Sequence, residues 1–116
     1  MSDIQRHIQT PIMHRVVEAN GFLFLGGVVA EDRSQDMAGQ TRQILKKIDG
    51  YLAEAGSDKS KIVAATLYAT DLGQKDAMND VWTAWLDPAT LPARATLGVS
   101  DLAPGALLEV VITAVK

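Results

Sequence analysis

The sequence predicts an α+β sandwich: a mixed β-sheet with two helices packed on one face. Three observations predict it. Apolar residues recur at spacings of three and four over 37–55 and again over 78–86, as in amphipathic helices. Strand-like runs precede, separate and follow these two stretches. Two of those runs, 62–70 and 107–115, are apolar on both faces and call for burial on both. The resulting order is β-β-β-α-β-α-β-β.

Each element has its own signal. Ile4 and Ile8 mark a short edge strand that Pro11 ends. Val16 to Ala19 and Phe22 to Leu25 flank Asn20-Gly21, which predicts a hairpin with a type I′ turn. Gly26-Gly27 follows directly; paired glycines there mean a bulge, a close backbone approach, or simply a loose strand end. Ser34 is the expected cap of the first helix, with Asp36 favouring its N-terminal dipole. That helix should bury Met37, Thr41, Ile44, Leu45, Ile48, Leu52 and Ala55, and Gly56 should end it in the left-handed conformation. The second helix starts near 74–76 and presents Met78, Val81, Trp82, Trp85 and Leu86, and Asp87-Pro88 stops it.

In the run 92–100, Ala93, Ala95, Leu97 and Val99 point one way and Arg94, Thr96 and Gly98 the other. Glu109 is a lone carboxylate inside the apolar run 107–115. Such an acid is costly to bury unless paired or protonated. If these two runs form a hairpin centred near Leu102-Ala103, Glu109 lies opposite Thr96, with Arg94 two residues on, about 6–7 Å away at strand rise. Arg94 would then hold a small carboxylate while Glu109 addresses the neighbouring atom. The competing reading is a structural ion pair at a subunit contact.

Composition narrows the function classes. The chain's 116 residues suit one domain, 1–116. A hydrophobic share of 47% excludes general disorder. A net charge of −3, with scattered Lys and Arg, argues against nucleic-acid and anionic-membrane partners. With no cysteine, thiolate nucleophiles and disulfides drop out, which fits a cytoplasmic protein. The N-terminus lacks the apolar core of a signal peptide. His7 and His14 have no acids at metal-ligand spacing, so no metal site is expected. Two helices cover only one sheet face, so the apolar other face calls for self-association.

The chain resembles the RidA (YjgF-type) family of reactive imine deaminases along nearly its whole length. The likeness rests on Asn20-Gly21 with its strand and Gly26-Gly27, Gln40, Ala55-Gly56, Ile62-Val63, Thr70-Asp71-Leu72, Met78-Asn79 and, most specifically, Pro92-Ala93-Arg94 with Glu109 fifteen residues on. The resemblance implies a chorismate-mutase-like α+β fold and a homotrimer with ligand clefts between subunits. It implies hydrolysis of 2-imino acids, such as 2-iminopropanoate and 2-iminobutanoate, to 2-oxo acids and ammonia, with no metal or cofactor. By the same resemblance Arg94 grips the substrate carboxylate and Glu109 positions water. The Thr96 N–H assists at the carboxylate, and Asn79 and Gly27 join the substrate-binding set. The chain departs from the family pattern where Gly26-Gly27-Val28 replaces Ser-Gly-Gln, Met13 stands near a common tyrosine, Thr96 replaces a cysteine, and Trp82 is the aromatic after the asparagine. These departures mark a divergent subgroup. Two hypotheses follow: a deaminase using Arg94 and Glu109, or a trimeric module that binds small carboxylates or hydrophobic ligands without turnover.

Overall fold

In the computed structural model, which describes residues 3–116, the chain forms a six-stranded sheet with two helices on one face. The strands are β1 (Gln5–Gln9), β2 (His14–Ala19), β3 (Phe22–Leu25), β4 (Ile62–Ala69), β5 (Ala93–Gly98) and β6 (Leu108–Val115). The helices are α1 (Met37–Glu54), between β3 and β4, and α2 (Lys75–Trp85), between β4 and β5. The sheet order is β1-β2-β3-β6-β4-β5.

Local chemistry explains the boundaries. Asn20 and Gly21 both take positive φ, 53° and 80°, as the type I′ turn demands, and β2 and β3 pair antiparallel across it. The cap of α1 is Asp36, whose side chain accepts from the Gly39 N–H. Ser34 instead bonds Asp32, because Asp36 is the residue adjoining the first helical position and has the extended backbone a cap requires. All seven residues expected on the buried face of α1 are buried. Gly56, at φ +83°, ends the helix with bonds from Gly56 N–H to Ala53 O and from Ser57 N–H to Leu52 O, the Schellman pattern. Gln40, fully buried, was not on the apolar pattern. Its amide donates to the carbonyls of Arg33, Gln35 and Gly105 and accepts from the Leu107 N–H, stapling α1 to the loop that feeds β6.

The expected hairpin of β5 with β6 is not present. β5 lies parallel on the outside of β4, and β6 inserts between β3 and β4, antiparallel to both. Glu109 stands opposite Tyr68, not Thr96. The connection carrying Leu107 is held by Gln40 rather than folded as a tight turn, and β4 is paired on both edges, by β5 and by β6. A central strand flanked on both sides buries more backbone than an edge hairpin does.

Burial along β6 alternates. Leu108, Val110, Ile112 and Ala114 are buried against the helices, while Glu109, Val111, Thr113 and Val115 are half-buried. Full burial on both faces is therefore not reached within the chain. The open face also exposes Phe22, Phe24 and Leu97 at 43%, 48% and 45%. No helix among the described residues is long and apolar enough to cross a membrane.

Candidate functional site

The predicted site residues fall into two groups on opposite sides of the sheet. Arg94 is level with Ala65 on β4, and Thr96 with Leu67; Ala65 and Leu67 face the helices. The Arg94 guanidinium accordingly reaches the α2 side, its Cζ 5.4 Å from the centre of the Trp82 ring. A cation over an indole face is attracted by the ring quadrupole. Burial pushes the Arg94 pKa below its ordinary value, yet a guanidinium stays charged. Asn79 stands one turn before Trp82 on α2, on the same side. Asn79 Oδ1 and Thr96 Oγ1 are buried without a hydrogen-bond partner. Buried polar atoms are ordinarily paired, so these two orphans, on the same side as a guanidinium that makes no hydrogen bond, leave unused bonding capacity.

Glu109 and Gly27 form the second group, on the open face. Phe24 pairs with Thr113 and Val28 with Val110, so β3 spends four residues where β6 spends three. The extra residue is a β-bulge at Gly26-Gly27. A β-carbon on Gly27 would fall on the Glu109 carboxyl group, 2.9 Å from its Cδ and 3.2 Å from its Cγ. The paired glycines thus serve both a bulge and a close approach. Among the described residues the Glu109 side chain makes no hydrogen bond or ion pair, and the Arg94 side chain none either.

The two groups do not meet within one chain. Arg94 is level with Ala65 and Glu109 with Tyr68, so they are three residues apart along β4 and two strands apart across it. At ordinary strand spacings that is about 14 Å between backbones, through the sheet. A structural Arg94–Glu109 ion pair inside the subunit is therefore excluded. The groove of about 550 Å³ between α1 and α2, lined by Arg42, Leu45, Lys46, Val81 and Trp85 among others, holds none of the predicted residues.

Comparison with known proteins fits this architecture. The family described as Endoribonuclease L-PSP matches over residues 8–116. The protein belongs to this family, the RidA/YjgF group. Its relatives include a RutC family protein of Haemophilus ducreyi, 39% identical over 82% of this chain and 81% of that protein. They also include the chloroplastic Reactive Intermediate Deaminase A of Arabidopsis thaliana, 30% identical over 83% of this chain and 54% of that protein. Among solved structures, a YjgF-family protein of Neisseria meningitidis superposes with a TM-score of 0.94 at 41% identity, covering 98% of this chain and 95% of that one. The mixed six-stranded sheet with its two helices is thus the fold of this RidA/YjgF group.

Two contributors escaped the sequence reading. Gln40 carries a signal only through the family resemblance and its place between Met37 and Ile44 on the apolar stripe; its full burial comes from the structure. Arg15 was missed. Its Nη2 donates to Gly27 O at 2.7 Å and Gly26 O at 3.3 Å, and its Cζ lies 5.1 Å from the Tyr51 ring centre. Nothing in a strand pattern singles out such an arginine.

Proposed function

We propose that the protein hydrolyses 2-imino acids to 2-oxo acids and ammonia in clefts between subunits of a homotrimer. Arg94 of one subunit would face Glu109 of the next. The observation that carries this reading is the unpaired state of both groups on opposite faces of one sheet. Neither forms an ion pair in its own chain, and packing the open face of one subunit against the β5 edge of another would bring them together.

The chemistry needs only what these residues supply. A protonated imine carbon is already electrophilic. The Arg94 fork holds the carboxylate through two parallel N–H···O bonds, a charge-assisted contact of about 1.5–3 kcal/mol. The Thr96 N–H, the Asn79 amide and the Gly27 backbone complete the walls. Glu109 orients a water molecule and takes its proton as the oxygen bonds to the imine carbon. Glu109 returns that proton to the carbinolamine nitrogen; the C–N bond then breaks as the hydroxyl gives its proton back to Glu109 and the carbonyl forms, releasing the 2-oxo acid and ammonia. The family's description names an RNA-cleaving activity, but a net charge of −3 gives a polyanion no long-range attraction.

A second reading, a carboxylate-binding module without turnover, is favoured by one observation: Gly26 and Val28 supply neither a hydroxyl nor a side-chain amide at the bulge. Mixing experiments decide between them. Arg94→Ala and Glu109→Gln should each be inactive alone, with imine generated by an amino-acid oxidase and its survival read by semicarbazone formation. Co-refolded in equal amounts, they should recover about a quarter of wild-type activity, since one interface in four would combine both intact groups. No recovery would refute the shared site, and an inactive wild type that still binds 2-oxo acids would establish the binding module.

A further inference from the structure

Glu109 rests on a piece of backbone that would not hold its shape unaided. The bulge at Gly26-Gly27 takes two carbonyls out of the regular ladder between β3 and β6. Glycine is also the residue with the most backbone freedom to lose on folding. Two glycines in succession, the second lying against a carboxylate, need an external constraint if that carboxylate is to keep one position.

Arg15 supplies the constraint. It pairs with Gly26 across the β2–β3 ladder, where the Gly26 N–H donates to Arg15 O at 3.0 Å. Its side chain returns to the same two residues, Nη2 donating to Gly27 O at 2.7 Å and to Gly26 O at 3.3 Å. Nη1 donates to Met13 Sδ at 3.4 Å, and a β-carbon on Gly26 would lie 2.8 Å from that sulfur. The Tyr51 ring of α1 sits under the guanidinium. The plane is thus held by a helix on one side and spends its donors on the bulge. Its Nε is buried and unbonded, so the orientation is set by these contacts alone.

We propose that Arg15 is a positioning residue for Glu109. By clamping the carbonyls of the bulge, it fixes the Gly27 wall on which the Glu109 carboxyl group lies. The proposal rests on the reading that Glu109 handles the water. Arg15 touches neither water nor substrate in this scheme. A planar fork does this work better than an ammonium, because a lysine offers a point charge and no face for Tyr51.

The test uses Arg15→Met, which keeps an apolar stem against Tyr51 but removes every donor, and Arg15→Lys, which keeps charge. In full-length protein, Arg15→Met should lower kcat on the order of 10²-fold, the usual consequence of misplacing a reacting group by about 1 Å. KM should stay within about twofold, since Arg94 still grips the carboxylate. Arg15→Lys should recover part of the loss. Independently of turnover, the Glu109 ¹³Cδ resonance, assigned by its disappearance in Glu109→Gln, should move or broaden in Arg15→Met. An unchanged resonance in a folded variant overturns the proposal, as does a loss carried by KM rather than kcat. If Arg15→Met does not fold, Arg15→Lys is read by the same two criteria. If the wild type has no deaminase activity, the reading of the site fails, while the resonance still decides whether Arg15 controls Glu109.

Discussion

The two faces of the sheet are made by the same strands and solve opposite problems. On the helix side Val16, Leu23, Leu67, Leu108, Val110 and Ile112 are sealed by α1 and α2 within the chain. On the other side Phe22, Phe24 and Leu97 remain nearly half exposed, beside half-buried Val111 and Tyr68. Burial of the first face stabilises the chain, whereas the second stays open within it and would be covered by another copy in the proposed trimer. The candidate site residues divide along the same line, Arg94, Thr96 and Asn79 toward α2 and Glu109 with Gly27 on the open face. The proposed cleft would combine both kinds of surface, a covered edge of one copy meeting the open face of another.

The largest expected difference between the faces comes from truncating one residue on each. Leu67→Ala leaves a cavity in the sealed layer and should destabilise the protein by about 2–5 kcal/mol, with a Tm drop of many degrees at every protein concentration. Calorimetry checks it, and a near-neutral result would mean the helix layer is not the subunit's core.

Phe24→Asp should act on association instead. It places a carboxylate in the open face without touching the helix layer, so the subunit should stay folded by circular dichroism while sedimentation shifts it toward monomer. Its Tm should lose the concentration dependence expected of an oligomer. A wild type that is monomeric at micromolar concentration would break the comparison itself.

The smallest expected effect lies outside both faces. Asp58 caps the short helical turn Lys59–Lys61, accepting from the Ser60 N–H at 2.8 Å and from the Ser60 hydroxyl. The side-chain and backbone bonds of Ser60 hold its pKa below the ordinary value of 3.8. A carboxyl with a depressed folded pKa adds stability above its unfolded pKa, and that stability is lost as pH falls through the folded pKa. Wild type should therefore lose slightly more stability than Asp58→Asn on acidification through the carboxylate range. Because Asp58 is exposed, the difference should be barely above measurement error in thermal melts. A large difference would point to a partner that holds this turn.

Much of this was legible from residues alone. The element order, the type I′ turn at Asn20-Gly21, the buried stripe of α1 and the Gly56 stop all depend on residues within a few positions of one another. Side-chain parity along β5 was legible too, and so the grouping of Arg94 with Thr96. The uncovered apolar sheet face was legible too, from counting apolar faces against helices. What no local pattern contains is which strand neighbours which. β5 and β6 are consecutive in sequence, yet β6 pairs with β3 and β4 while β5 takes the far edge. That choice moved Glu109 from opposite Thr96 to opposite Tyr68 and put it across the sheet from Arg94. It also created the one-residue mismatch that Gly26-Gly27 absorbs and Arg15 clamps. Turns and helix faces are set by short-range sterics and hydrogen bonds, which the order of residues carries. Strand partnership is set by total burial of backbone and apolar surface over the whole sheet, and only the assembled chain decides that.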